Sequence, residues 1–371
     1  MKILILTWRD IKNPRAGGSE LYFHELAKRW VKLGNSVEWI SGRWKGCEKK
    51  ENIDGISIMR VGTEMSLYAY VPFVYRSLKE KPDVIVDNEN GIPFFTPLFS
   101  KEKKILHIHH VHHDVWFMEM KGRGIKDKLI GLFGYFLEAK VMPIIYRKIP
   151  IITISKSSAE EIEEKVSKNV IGIVNPGIEF VKHKKIEKSK KPTILFLNRI
   201  KRYKGVKVLL DAVIEINKKI KDFNVSIAGS GDDLEEMKIY AKDKNLDNIN
   251  FLGKISDEQK KELMQKSWVF VNPSSKEGWG IVNIEANYFG TPVVGSDVSG
   301  IKDSIIDGKT GLLFKENDSQ DLANKIENLL GDKTLRNKLA KQGEKWAKEF
   351  DWNKKAREYM DFLNKINRGE K

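Results

Sequence analysis

Twice along this chain, short apolar runs alternate with amphipathic helical stretches. This double alternation limits the fold more than any other feature. The first series reads "KILILT", a helix running from Ser19 to Gly34, "SVEWIS", "PDVIVDN", "KKILHIHH" and "PIITIS". In that helix Tyr22, Leu26, Trp30 and Leu33 recur at helical spacing, Ser19 is the expected N-cap, and Gly34 ends the run. After "PIITIS", Ser157 or Ser158 with a Glu three residues on is expected to form a capping box. The second series reads "PTILFLN", a helix from "GVKVLLDAVIEINKKI", "FNVSIAG", "NINFLG", "SWVFVNPS" and "PVVGSD", again with helices between. Strands that alternate with helices belong to parallel sheets. The expected fold class is therefore α/β with two such domains, residues 1–180 and 192–350. Between them "VKHKKIEKSKK" (181–191) is charged and aperiodic, as expected of an exposed linker. Residues 351–371 read as a polar-faced helix.

Length agrees with two domains, since 371 residues exceed one compact core of ordinary size. The single cysteine, Cys47, excludes a disulfide framework within the chain. No leader pattern is visible, and no run reaches the roughly 18 apolar residues of a spanning helix. A cytoplasmic location is the expectation. The net charge of +15 attracts anions. Nucleic acid is not the expected anion, because the basic residues are spread rather than striped and no nucleic-acid motif is present.

Several stretches carry candidate chemistry. "NPRAGGSEL" places Gly17 and Gly18 between the first strand and first helix, where backbone N–H groups can face a phosphate. "LNRIKRYKG" places Arg199 just after a strand and Lys204 at a helix start, two cations suited to a diphosphate. "AGSGDD" is a strand–GxG–helix turn without the third glycine or the ribose acid of the dinucleotide fingerprint, which disfavours a nicotinamide dehydrogenase. "HIHHVHHD" is rich in histidine, but alternate residues of a strand end point to opposite faces and the spacing of a zinc motif is missing. No metal site is expected there. "KGRGIKDKLIGLFGYFLEAKVMPIIYRK" (121–148) is basic, then apolar, then basic. It suits either a core helix with a basic surface or peripheral contact with an anionic membrane.

The most informative stretch is "SSKEGWGIVNIEANYFGTPVV". Gly278 and Gly280 let the backbone approach a ligand, and a helix starting near Gly280 points its free N–H groups at an anion. Glu277 lies just outside that start. Glu285 lies more than a turn inside, where the helix dipole gives it no reason to be. Carboxylates at both places suit the hydroxyls of a sugar and of a ribose.

These residues are similar to a known pattern. "EGWGIVNIEANYFGTPVVGSDVSGIKDSIIDGKTGLLF" resembles the signature of the retaining glycosyltransferases of family 4, with its E-x7-E pair, G-T-P-V-V, Gly-x-x-acid turn and D-G-x-T-G-L. "NRIKRYKG" resembles its R-x4-K-G segment, "NINFLGKIS" its base-binding strand and turn, "NPG" its inter-domain loop and "GGSE" its N-terminal glycine loop. "NYFG" departs from the smaller residues the family often carries there. The resemblance spans nearly the whole chain and implies the GT-B fold, two Rossmann-like domains facing across a cleft.

It also implies roles. Glu285 would bind the donor ribose. Glu277 would hold hydroxyls of the transferred sugar near its anomeric carbon. Arg199 and Lys204 would hold the diphosphate, helped by the backbone of Gly280, Ile281 and Val282. Gly253, Lys254 and Ile255 would frame the base, and Gly17 and Gly18 would close on the phosphates. The family's N-domain histidine aligns with His109, with His110 as the alternative. The first domain would bind the acceptor, and the C-terminal helix would pack back on it.

The expected function is a retaining, metal-independent transfer of a sugar from a nucleotide-diphosphate sugar to an acceptor hydroxyl, in glycan, polysaccharide or glycolipid biosynthesis. The acceptor would be a glycan, a lipid-linked molecule or a small molecule. No cofactor is expected beyond the donor substrate, and no D-x-D metal clamp occurs. The alternatives are a sugar-nucleotide epimerase or phosphorylase on the same fold, or a non-catalytic nucleotide-sugar-binding protein.

Overall fold

Both apolar series fold as parallel sheets in the computed structural model, which describes residues 1–113, 116, 124–181 and 186–370. Residues 121–123 of the basic–apolar segment and 182–185 of the expected linker lie outside the described residues. The chain divides into two compact units, Met1–Gly177 with Trp352–Lys371, and Ile178–Asp351.

The first unit is an eight-stranded sheet in the order β3-β4-β2-β1-β5-β6-β7-β8. Its strands are β1 Lys2–Leu6, β2 Ser36–Gly42, β3 Lys50–Ile53, β4 Ile56–Val61, β5 Val84–Glu89, β6 Lys103–Ile108, β7 Ile151–Thr153 and β8 Val170–Ile173. All pairs are parallel except β3–β4. β5 is buried along its whole length, as a strand covered on both faces must be. The β3–β4 hairpin is an addition to the sequence reading. Asp54 and Gly55 turn it with φ of 51° and 84°, the left-handed pair that a tight hairpin demands.

The first helix, Gly18–Lys32, and the last, Trp352–Arg368, pack together within this unit. Trp30 is fully buried between them. Its Nε1 donates to the carbonyl of Ala356 at 3.1 Å, and its ring lies 5.2 Å from that of Tyr359. Arg29 Nε donates to Asn353 Oδ1 at 3.0 Å. These contacts hold the helix whose first turn carries Gly18, Ser19 and Glu20.

The second unit is a six-stranded parallel sheet in the order β11-β10-β9-β12-β13-β14. Its strands are β9 Thr193–Leu197, β10 Asn224–Ala228, β11 Ile249–Gly253, β12 Val269–Asn272, β13 Val293–Ser296 and β14 Gly311–Phe314. The order reverses between β9 and β12. Loops that leave the carboxyl ends of such a pair diverge, and open α/β sheets bind ligands there. The loop after β9 carries Arg199 and Lys204. The loop after β12 carries Glu277 and leads into the helix Ile281–Tyr288.

The structure corrects three local expectations. Ser19 does not cap the first helix. Gly17 is the N-cap, and its N–H donates to Glu20 Oε2 at 2.7 Å. Ser155, rather than Ser157 or Ser158, caps the helix Lys156–Lys165, accepting from the Ser158 N–H at 3.1 Å. Residues 186–191 are not a free linker. Lys188 Nζ donates to the carbonyl of Ser267 at 2.7 Å and to Thr291 Oγ1 at 2.6 Å, and burial pushes its ammonium down to about 7. Charge alone suggested solvent, but long lysine stems also cover apolar surface.

The packing of Trp30 yields a stability prediction. Trp30→Ala should destabilise the first unit by about 3–5 kcal/mol, the usual cost of emptying a buried aromatic site. Denaturant unfolding should show an earlier transition for that unit alone. Unchanged unfolding would mean the last helix does not depend on this contact.

Candidate functional site

In the second unit, three side chains converge on one oxygen. Lys204 Nζ lies 2.5 Å from Glu277 Oε1, Asn198 Nδ2 3.2 Å and Ser274 Oγ 3.2 Å. The Lys204 side chain is 6% exposed and that of Glu277 16%. A cation this buried requires a partner, and the carboxylate in turn needs several donors to offset its lost hydration. The second oxygen, Oε2, has no hydrogen-bond partner among the described residues. The carboxylate is thus fixed by one oxygen and open at the other.

The loops are brought this close by glycine. Gly205, at φ 71°, lies so near the carbonyl of Pro273 that a Cβ would sit 2.1 Å from it. A Cβ on Gly300, at φ 80°, would lie 2.2 Å from the carbonyl of Glu277 itself. Behind them a buried amide chain sets the helix start. The single Ser274 hydroxyl proton is shared between Glu277 Oε1 and Asn272 Oδ1, the latter at 2.8 Å, Asn272 Nδ2 donates to Asn283 Oδ1 at 3.0 Å, and Asn283 Nδ2 donates to Ser304 Oγ at 2.9 Å. Gly280 caps the helix in the left-handed conformation, with φ 75°. No side chain caps it, so the N–H groups of Ile281 and Val282, both half-buried, are left for another acceptor.

Other expected residues are near in sequence but not joined by contacts. Arg199 is exposed, and its guanidinium has no hydrogen bond among the described residues. Glu285 is half-buried and pairs with Lys260 on the helix Asp257–Lys266, at 2.7 Å. Gly253 ends β11 at φ 65° beside open space, with Lys254 exposed and Ile255 half-buried. The GxG glycines serve packing: a Cβ on Gly229 or Gly231 would lie 1.9 Å from the Asn198 carbonyl or 2.1 Å from that of Ile200.

In the first unit, Ser19 has a different partner from the one expected. Its Oγ lies 2.8 Å from His109 Nε2 and accepts from Asn88 Nδ2 at 3.2 Å. His109 is 7% exposed, and burial, reinforced by His112, lowers it to about 3. It is a neutral hydrogen-bonding group at any working pH. His110 is half-buried, its ring 4.3 Å from that of His112. Gly18 borders open space, and Gly17 meets only Glu20.

One acidic cluster lay beyond the sequence reading. Ligand atoms of Glu89, His112 and Glu138 lie within 4.8 Å of one another. Small cations bind such sets; here both Glu138 oxygens are committed, while Glu89 Oε2 is buried without a hydrogen-bond partner among the described residues. Glu138 Oε1 accepts from the His112 N–H at 2.6 Å and Oε2 from Trp116 Nε1 at 2.8 Å. Glu89 Oε1 accepts from the Gly91 N–H. Burial, then the charge of Glu89, raises Glu138 to about 7. A proton kept on Glu138 is enough to let two fully buried acids coexist.

Comparison with known proteins agrees with this geometry. Residues 16–181 match the model of "Glycosyltransferase Family 4", and residues 178–346 that of "Glycosyl transferases group 1". The chain belongs to the group 1 glycosyltransferases. An uncharacterized glycosyltransferase of Methanocaldococcus jannaschii is 28% identical over 286 residues, covering 73% of this chain and 71% of its own. Among solved structures, sucrose-phosphate synthase from Thermosynechococcus elongatus superimposes with a TM-score of 0.79 at 19% identity, over 100% of both chains. Anabaena HepE in complex with UDP and glucose gives 0.74 at 17% identity, over 98% of this chain and 99% of its own. These likenesses establish the GT-B fold of this glycosyltransferase, with its two Rossmann-like units.

Sequence reasoning missed Asn198, Lys260, Ser274 and Gly300 as neighbours of the expected site residues. Gly300 was within reach, since it opens the Gly-x-x-acid turn. The others are polar residues whose partners are set only by the fold.

The raised Glu138 gives a pH prediction. Between its ordinary value of 4.5 and about 7, the folded chain holds a proton that the unfolded chain has lost. Its contribution to stability therefore declines as pH rises through that window, by at most about 3 kcal/mol. His107 and His109, both lowered, act in the opposite sense below about 6.5. The signature is thus the difference between the wild type and Glu138→Gln. Urea unfolding should show the wild type losing stability relative to the variant from pH 5 to pH 8. A constant difference would mean that Glu138 is ionised throughout.

Proposed function

We propose that this glycosyltransferase moves a sugar from a nucleotide-diphosphate sugar to an acceptor hydroxyl, with retention of anomeric configuration and without a metal. The observation that carries the reading is the Glu277 carboxylate, fixed at Oε1 by Asn198, Lys204 and Ser274 beside an uncapped helix start. Its free oxygen suits a hydroxyl of the transferred sugar, and its charge faces the positive character that grows at the anomeric carbon. Lys204 keeps two further N–H donors for the diphosphate, and Arg199 is unengaged and forked. Together with the N–H groups at Gly280, Ile281 and Val282 they stabilise the leaving diphosphate, whose charge grows in the transition state.

Glu285 takes the ribose, exchanging part of its contact with Lys260. Gly253, Lys254 and Ile255 frame the base. In the first unit, Gly18 offers its backbone N–H, Gly17, whose own N–H is held by Glu20 Oε2, leaves the turn open to the phosphates, and neutral His109 offers a hydrogen bond to the sugar. The departing phosphate oxygen itself takes the acceptor proton on the same face, so no protein nucleophile is needed. The acceptor is a glycan, a lipid-linked molecule or a small molecule, and the reaction is cytoplasmic. HepE was solved with UDP and glucose, so UDP-glucose is the first donor to test.

Incubation with UDP-, GDP- and ADP-sugars should release free nucleoside diphosphate from one of them, undiminished by EDTA. NMR of the product should show the donor's anomeric configuration. Inversion would exclude the same-face mechanism. Loss of activity in chelator, restored by Mg²⁺ or Mn²⁺, would exclude the metal-free one.

A further inference from the structure

The helix Ile125–Phe136 runs through a π turn, Leu137–Val141, into a last turn, Met142–Ile145. Its burial is reversed. Gly131, Gly134, Glu138 and Met142 are the buried positions. Leu129, Leu132, Phe133 and Phe136, spaced as one helical stripe, are 52–62% exposed, and Ile125 and Ile144 more so. A surface helix of a soluble protein normally turns such a stripe inward.

The reversal has a local cause. A Cβ on Gly134 would lie 2.7 Å from the Trp116 ring, so the inward face is cut to fit an indole. That indole donates to Glu138, which also accepts the His112 N–H. The helix is therefore held by a flat aromatic and a buried acid, and its apolar stripe is left facing out. An exposed apolar stripe of this size marks an interaction site.

Charge selects the partner. Lys128, Lys140, Arg147 and Lys148 are exposed along the same stretch, and none has an ion-pair partner among the described residues. Within 125–148 the sequence holds two acids, Asp127 and Glu138, against five Lys and Arg residues, and Glu138 is fully buried. Protein interfaces concentrate aromatic residues, Met and Arg but are depleted in Lys, and they pair their polar groups. A stripe of Leu and Phe flanked by unpaired cations instead fits lipid with anionic headgroups. Among the described residues no helix is long and apolar enough to cross a membrane, so the segment would lie on the surface.

We propose that Ile125–Ile145 docks flat on an anionic membrane. The Leu129–Phe136 stripe enters the headgroup–acyl boundary, and Lys128, Lys140, Arg147 and Lys148 meet lipid phosphates. Because Glu138 lies beside Glu89 at the carboxyl end of β5, docking holds the ligand-binding end of this sheet near the bilayer. The surface is independent of the glycosyl-transfer reading, since it is measured without turnover.

The test is cosedimentation of the full chain with phosphatidylcholine vesicles, with and without phosphatidylglycerol. Binding should require phosphatidylglycerol and weaken with salt. Leu129→Ser with Phe133→Ser should weaken it more than about tenfold. Lys140→Glu with Lys148→Glu should weaken it by about tenfold or more and flatten the salt dependence. All four positions are exposed, so the thermal midpoint should not change. Equal binding to neutral vesicles, no binding, or full binding by the Leu129/Phe133 variant overturns the proposal. So does self-association of the wild type that this variant abolishes, because the stripe would then join two copies of the chain.

Discussion

Glu277 Oε1 is the point on which the second unit's candidate site depends. Asn198 and Lys204 reach it from the loop after β9, and Ser274 from the loop after β12. Those strands are neighbours in the sheet, and their loops would diverge without something to join them. The join is electrostatic at the side chains and steric at the backbone, where Gly205 and Gly300 admit carbonyls that any Cβ would exclude. A buried ion pair is a weak source of stability. Its better use is orientation. It keeps a lysine ammonium and a carboxylate at fixed positions while leaving Glu277 Oε2 and two N–H groups of Lys204 available to a ligand that itself carries both hydroxyls and negative charge.

The same logic runs through the first unit with neutral groups. His109 is too deeply buried to hold a proton and is bound to Ser19 instead. Glu138 is too deeply buried beside Glu89 to lose one easily. Each is a group whose charged form burial disfavours, and each lies near the carboxyl ends of β5 and β6. Pre-set neutral donors and acceptors suit the recognition of uncharged hydroxyls, whereas the second unit's charges suit a diphosphate.

Much of the fold could be read from the sequence because parallel strands are buried on both faces and so appear as unbroken apolar runs. β1, β9 and β12 are of this kind, whereas β5 carries Asp87, Asn88 and Glu89 in its buried second half. The β3–β4 hairpin was harder, since β3 is mostly polar and half exposed, yet the Asp54–Gly55 pair was a turn signal in plain view. The cap of the helix Lys156–Lys165 was misplaced because three serines, Ser155, Ser157 and Ser158, stand at its start and only the fold decides which is free. Ser19 was drawn away by His109, a residue ninety positions distant. In the site, Glu277, Lys204 and Gly280 announced themselves by spacing. Asn198, Ser274 and Lys260 did not, because a polar side chain near a loop has no periodicity to betray its partner. Residues 186–191 misled for the opposite reason: their charge suggested solvent, and Lys188 is instead bonded at Ser267 and Thr291.

The central claim is that Glu277 and Glu285 hold different parts of one donor. Calorimetric binding of bare UDP to Glu277→Gln and Glu285→Gln tests it most directly. A hydrogen bond to a charged group contributes roughly 1.5–3 kcal/mol, so loss of the ribose contact at Glu285 should weaken UDP about tenfold to a hundredfold. On this account Glu277 faces the sugar, which UDP lacks, so its variant should bind UDP almost as the wild type does. Loss of UDP binding by Glu277→Gln, with Glu285→Gln unaffected, would contradict the account.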